Sequence, residues 1–296
     1  MKKEWIALWA VIAIVVLTGG GVLIWWLARS PETSKGYGDI KQHAAFVPIR
    51  DVGEMFYWYY PTTETSYPRP LIVWLHGVTD VPPSLAANIG AFGPYDRHLN
   101  RRNDSWVEDY NLLFIDAPLG SGFSRLVNRG PHRPTSSQSN GLSGNQKQLR
   151  VLAQPDEELV AFMNEEVAAA LGVSGNYDEG RQEVVDNFKN SYLNSAVPLV
   201  EEILQNTKLT VTIYNGNLDA ISSTPGQLEW VNSLKWDGQE EFLNSRRNQV
   251  YVNDILEGSV RETDRLKFYW VNAAGQSVPV DSPVAMRRIL QSIAGY

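Results

Sequence analysis

The sequence predicts an α/β protein, a mostly parallel sheet flanked by helices, with one apolar helix at the N-terminus. Three observations carry that expectation. Two uninterrupted apolar runs, Leu71–Leu75 and Leu112–Ile115, have the composition of strands buried on both faces, as parallel strands are. Segments of helical and strand-like spacing alternate through the second half of the chain. Leu209–Trp230 passes from an alternating strand through a turn into a helix, the repeating unit of such sheets.

Composition narrows the function classes. A net charge of −7 over 296 residues argues against nucleic acid, whose phosphates need a basic footprint. Ten Trp, thirteen Tyr and nine Phe are far more than a disordered chain carries. With no cysteine, thiol nucleophiles, thiolate zinc sites and disulfides are all excluded. Four scattered histidines without a metal-ligand spacing, and no glycine-rich phosphate loop, imply neither a metal nor a cofactor.

Taken in order, the chain begins with Trp5–Ala28, an uncharged stretch long enough to cross about 30 Å of hydrocarbon, with Trp5, Trp9, Trp25 and Trp26 near its ends. Lys2 and Lys3 before it favour a cytosolic tip and a luminal or extracellular main domain. The sequon at Asn103-Asp104-Ser105 suits that side. The competing reading, secretion after cleavage of a signal peptide, sits poorly with the length of the span. Residues 1–29 are thus read as tip and membrane anchor, and 30–40 as a linker.

Phe46–Arg50 and Met55–Tyr60 read as strands of a hairpin around Asp51-Val52-Gly53. The buried run at 71–75 ends in His76-Gly77, and the one at 112–115 ends in Asp116, whose expected work is to anchor the following loop by hydrogen bonds. Asn128–Asn145, rich in Ser, Pro, Gly and Asn, reads as a loop or seam between two halves. Helices are expected over Asp156–Leu171, over Ala196–Gln205 with Pro198 in its first turn, and over Ser282–Ala294. Strands are expected at Leu209–Tyr214 and Leu266–Val271. Ser223-Thr224-Pro225 starts a further helix. Between the Leu209 strand and that helix lies Asp219, read either as an active-site carboxylate at a strand's carboxyl end or as a turn residue.

Several of these stretches together resemble the serine carboxypeptidases, most closely the retinoid-inducible type. MFYWYY at 55–60 resembles the family's first aromatic strands, and LIVWLHG at 71–77 the strand leading to its oxyanion loop. LLFIDAPLGSGFS at 112–124 is similar to the D-x-P-x-G-x-G-F-S motif. Gly93-Pro94 and Trp106 sit at the usual positions, Thr212–Trp236 resembles the triad-Asp strand and following helix, and Phe268–Ala285 the G-H-x-V-P-x-D-x-P-x-x-A segment. The resemblance implies an α/β-hydrolase fold with residues 41–127 and 155–296 as its two halves, joined by a seam at 128–154.

Departures from the family pattern bear on chemistry. The nucleophile motif G-E-S-Y-G-G has no counterpart, and no G-x-S-x-G-like elbow follows any strand, so the fold expected is internally truncated. Gln276 stands at the triad-His position, where an amide has no basic nitrogen to take a proton. Asp219 then stands as a vestigial triad carboxylate. Gly77 and Val78 form the oxyanion-loop remnant, with Val78 where the family has glycine and Asp80 adding an unfavourable charge. Gly90-Ala91 falls where the family's glutamate grips the substrate carboxylate. Three readings follow: a pseudoenzyme that binds a peptide or protein, an active serine-type carboxypeptidase of incomplete sequence, and a non-functional remnant. None of them fixes an oligomeric state.

Overall fold

Alternating large side chains make residues 43–60 a hairpin, and this hairpin seeds the first of two sheets. The computed structural model describes residues 36–75, 81–126, 157–174, 177–178, 184 and 194–295. The chain divides into two compact units, Met1–Asn190 and Ser191–Tyr296. The apolar N-terminal span, the 128–145 seam and the oxyanion-loop remnant with Gly77 and Val78 lie outside the described residues. Among the described residues no helix is long and apolar enough to cross a membrane.

In the first unit, β1 (His43–Ile49) pairs antiparallel with β2 (Gly53–Tyr60) around Asp51, whose positive φ of 60° closes the turn. β2 also pairs antiparallel with β4 (Asn111–Ile115) and β5 (Arg125–Leu126). The strand is therefore covered from both sides, and all six residues of MFYWYY are buried. Tyr57, Tyr59 and Leu113 form the core of one face. On the other, Trp58 stacks on Tyr60 at 5.6 Å and Phe56 meets Phe123 at 4.9 Å.

β3 (Leu71–Trp74) joins β4 in parallel and ends the strand order β1-β2-β4-β3. Among the described residues β4 is its one strand partner, so its four residues are half-buried, where the sequence predicts burial on both faces. The segment after the 76–80 gap winds as a wide π-type helix, Ser84–Phe92. Its last carbonyls are gathered by Arg102, whose guanidinium donates to the oxygens of Asn88, Ile89, Gly93 and Tyr95. Phe92 stacks on Trp106 at 3.7 Å. The helix expected over 156–171 forms as a continuous run, Glu157–Phe162, a wide turn Met163–Val167 and Ala168–Leu171, closed by left-handed Gly172.

The second unit is a four-stranded sheet of order β6-β9-β8-β7: Val211–Gly216, Leu266–Val271, Ile255–Glu262 and Arg247–Val252. Helices Val197–Asn206, Thr224–Ser233 and Gln239–Asn244 bring Leu204, Val231, Leu234 and Phe242 onto Leu266, Phe268 and Trp270. The intervening residues Lys267 and Tyr269 turn the other way and both donate to Ser292 Oγ, at 3.0 Å each, on the closing helix Pro283–Ala294.

The expectation of a mostly parallel sheet is corrected. β3–β4 and β6–β9 are parallel, while β1–β2, β2–β4, β2–β5, β7–β8 and β8–β9 are antiparallel. Short turns account for β1–β2, β7–β8 and β8–β9, because a tight connection permits only antiparallel neighbours. The β7–β8 hairpin turns on Asn253-Asp254, both at positive φ.

Asp116, at the end of β4, closes the first unit's loops. It is fully buried and accepts from Ser84 N at 3.0 Å, Ser84 Oγ at 2.8 Å and Phe123 N at 3.0 Å. Gly122, at φ +57°, passes so close that a Cβ there would lie 2.1 Å from Asp116 Oδ2. Burial pushes the Asp116 carboxyl from 3.8 up to about 6, against the hydrogen bonds from Phe123 and Ser84 that favour its ionised form. A raised folded-state value means that the folded protein holds this proton more tightly than the unfolded chain. The group's stabilisation is complete below 3.8 and is lost as pH rises through about 6. Asp116→Asn removes that titration and turns an amide donor toward groups that themselves donate. The variant is expected to unfold about 1–3 kcal/mol more easily. Thermal melts should show its deficit against the wild type widening as pH falls from 7 to 5.

Candidate functional site

Parallel pairing of β6 with β9 sets Gly216 beside Val271, so the loops after both strands leave the sheet at the same end. One loop carries Asp219 and the other Gln276. The loops are laced together by backbone: Asn217 N donates to Val271 O and Leu218 N to Ala274 O, each at 2.9 Å. A Cβ on Gly216 would lie 2.2 Å from Ala274 O and 2.3 Å from Gly275 O. Only glycine admits this approach.

Asp219 is nearly buried, at 9% exposure. Its Oδ1 accepts from Ile221 N and Ser222 N, both at 2.8 Å, which folds the carboxylate back on its own turn. Asn215 stitches the same loop shut: its Nδ2 donates to Ser222 O at 2.9 Å and its Oδ1 accepts from Thr224 Oγ1 at 2.6 Å. Gln276 is exposed and makes no hydrogen bond to Asp219. Its loop is fixed instead by Asp281, whose Oδ2 accepts from Gly275 N at 2.8 Å.

The structure thus brings Asp219 and the Gln276 loop to one corner without joining the two side chains. All four histidines lie upstream of this unit. His43 is buried in β1, stacked on Tyr59 at 6.1 Å, and His98 is exposed and accepts from Arg97 Nε at 3.2 Å. Gly90 and Ala91 both sit on the Ser84–Phe92 helix. As it stands the corner can hold a turn in shape and offer exposed amide groups to a ligand.

Sequence reasoning missed two residues that do this structural work. Asp281 was legible as the acidic residue of Val278-Pro279-Val280-Asp281-Ser282-Pro283, where two prolines fix a turn that an acid can close. Ser84, which donates twice to Asp116, left no local signal, because its partner lies 32 residues away.

Comparison with known proteins gives a consistent picture. The family model of the serine carboxypeptidases matches residues 31–142 and 128–295. Serine carboxypeptidase-like 51 of Arabidopsis thaliana is 33% identical over 138 residues, 45% of this chain and 30% of the relative. The retinoid-inducible serine carboxypeptidase of Homo sapiens is 30% identical over 160 residues, 50% of this chain and 35% of the relative. The chain therefore spans about a third of the length of these curated relatives. In fold it is similar to a prohormone-processing carboxypeptidase of Saccharomyces cerevisiae, with a TM-score of 0.65 at 16% identity over 91% of this chain and 93% of that one. With the sheet, the D-x-P-x-G-x-G-F-S clamp and the strand-turn-helix around Asp219 all in the family's order, this chain belongs to the serine carboxypeptidase family.

Proposed function

We propose that this chain is a carboxypeptidase-family protein without hydrolytic chemistry, a pseudoenzyme that binds a peptide or protein segment. One observation carries the reading: an exposed amide, Gln276, stands in an otherwise well-kept motif where the reaction needs an imidazole. Asp219 supports it, since its Oδ1 is committed to its own turn and to nothing that would relay a proton. The absence from the sequence of any serine elbow removes the atom that such a relay would activate. The apolar N-terminal span and the sequon support a reading in which the protein is anchored in a secretory-pathway membrane with its main domain luminal or extracellular.

A second reading is favoured by the short coverage of the relatives: an active carboxypeptidase of which this sequence is an incomplete piece. Gln276 opposes it, because no added segment restores the base. Transcripts read across residues 125–185 distinguish the two, a G-E-S-Y segment there supporting the second.

Three measurements follow. A fluorophosphonate probe should leave the purified full chain unlabelled, and Gln276→His should leave it unlabelled too; clear labelling of the wild type overturns the proposal. If Asp219 serves only its turn, Asp219→Asn keeps an acceptor at Oδ1 and melts like the wild type, whereas Asp219→Ala leaves two amides unpaired and loses about 1–2 kcal/mol. For the membrane anchor, protease protection of intact vesicles and the mass of the mature chain should show residues 5–28 retained.

A further inference from the structure

The second sheet carries two arginines at facing positions of neighbouring strands. Arg247 on β7 lies directly opposite Arg261 on β8, and Arg261 lies opposite Phe268 on β9. Like charges in register on neighbouring strands repel. Among the described residues neither arginine has a carboxylate partner, in contrast to Arg125, which pairs with Glu54 at 2.5 Å. The acids of β8 are engaged elsewhere: Glu262 pairs with Lys267 at 3.4 Å, and Glu257 accepts from Ser282 Oγ at 3.3 Å. Arg261 Nε is buried without an acceptor, and its guanidinium stands 5.8 Å from the Phe242 ring. Arg247 is held in place by Ser259, accepting from its Nε at 2.6 Å, and by Trp270, whose ring centre lies 4.3 Å from the guanidinium.

Arg247 borders a groove of about 260 Å³ lined also by Gln249, Leu256, Gly258, Ser259 and Asn272. Its polar wall is made of side-chain amides, which suit peptide backbone groups, and Leu256 supplies an apolar contact. β7 is the edge strand of the sheet, so its outer backbone can accept a further extended segment. In a chain of net charge −7, a local positive pair of this kind selects by sign.

We propose that this groove binds an acidic peptide segment, with a carboxylate of the peptide set against Arg247 and Arg261 adding positive charge from the facing position on β8. The proposal rests on the reading of the chain as a peptide binder and places the binding away from the Asp219 turn. The test uses the full chain and three probes: a short fluorescent peptide ending in Asp-Glu, the same peptide with Asn-Gln at those positions, and inorganic phosphate. The acidic peptide should bind at least about tenfold more tightly than its amide counterpart. Arg247→Ala should weaken it about tenfold and Arg261→Gln by a smaller but measurable factor of about threefold, with affinity falling as salt is added. Arg246→Ala, which removes an exposed charge from the neighbouring position, should leave the affinity within about twofold. Each variant is melted first; should Arg247→Ala fail to fold, Arg247→Gln, which keeps much of the stem over Trp270, replaces it. Equal binding of the amide peptide overturns the proposal, as does an Arg246→Ala loss as large as that of Arg247→Ala. Tighter binding of inorganic phosphate than of the acidic peptide also overturns it. Acidic-peptide binding that survives Arg247→Ala and Arg261→Gln overturns the location and leaves the peptide-binding reading standing; no peptide binding at all overturns both.

Discussion

Gly216 has no room for a side chain, and the second unit's corner depends on that. The carbonyls of Ala274 and Gly275 occupy the space a Cβ would take, so the chain after β9 lies directly against the chain after β6. This backbone contact sets where Asp219 and Gln276 stand. It needs nothing from either side chain, which is why the corner persists although the groups that would use it differ from the family's. Geometry of this sort is held by glycine, parallel pairing and two backbone hydrogen bonds.

Two aspartates at strand ends show how differently such positions are used. Asp116 has no solvent and accepts three hydrogen bonds from two segments far apart in sequence, so it ties the Ser84–Phe92 helix to the loop at Gly122-Phe123. Asp219 closes only its own turn, through amides two and three residues ahead. A long-range clamp makes Asp116 a condition of the first unit's folding. A local acceptor makes Asp219 replaceable by any residue that can cap the same turn.

Much of this was legible in the sequence where the cause is local. The β1–β2 hairpin, the Leu266 strand, the helix at 224 and the closing helix follow from alternation, a cap and a proline, all within a few residues. The strand at 71–74 was legible, its half-burial was not, because burial depends on which strands stand beside it. The β7–β8 hairpin was missed: Asn253-Asp254 flanked by Val250, Val252 and Ile255 is a turn signal, but the polar residues of Arg247–Gln249 hide the strand before it. At the candidate site the sequence sets Asp219 just past one strand and Gln276 just past another, and the parallel pairing of those strands brings both loops to one end of the sheet. The Asp281 bond to Gly275 and the Arg247–Arg261 register are products of tertiary pairing, and no spacing along the chain reports them.

The margins of the two sheets complete the argument. Among the described residues each sheet ends on a strand in parallel pairing, β3 against β4 and β6 against β9. Parallel strands usually lie between neighbours, and an edge that faces water is commonly blunted by charge. Leu71–Trp74 and Val211–Gly216 carry no charge at all, whereas the antiparallel edge β7 opens with Arg247. The composition of β3 and β6 is that of interior strands. Among the described residues β3 and β6 each have one strand neighbour, and a segment that paired beside either would be stabilised by the backbone hydrogen bonds such an edge offers.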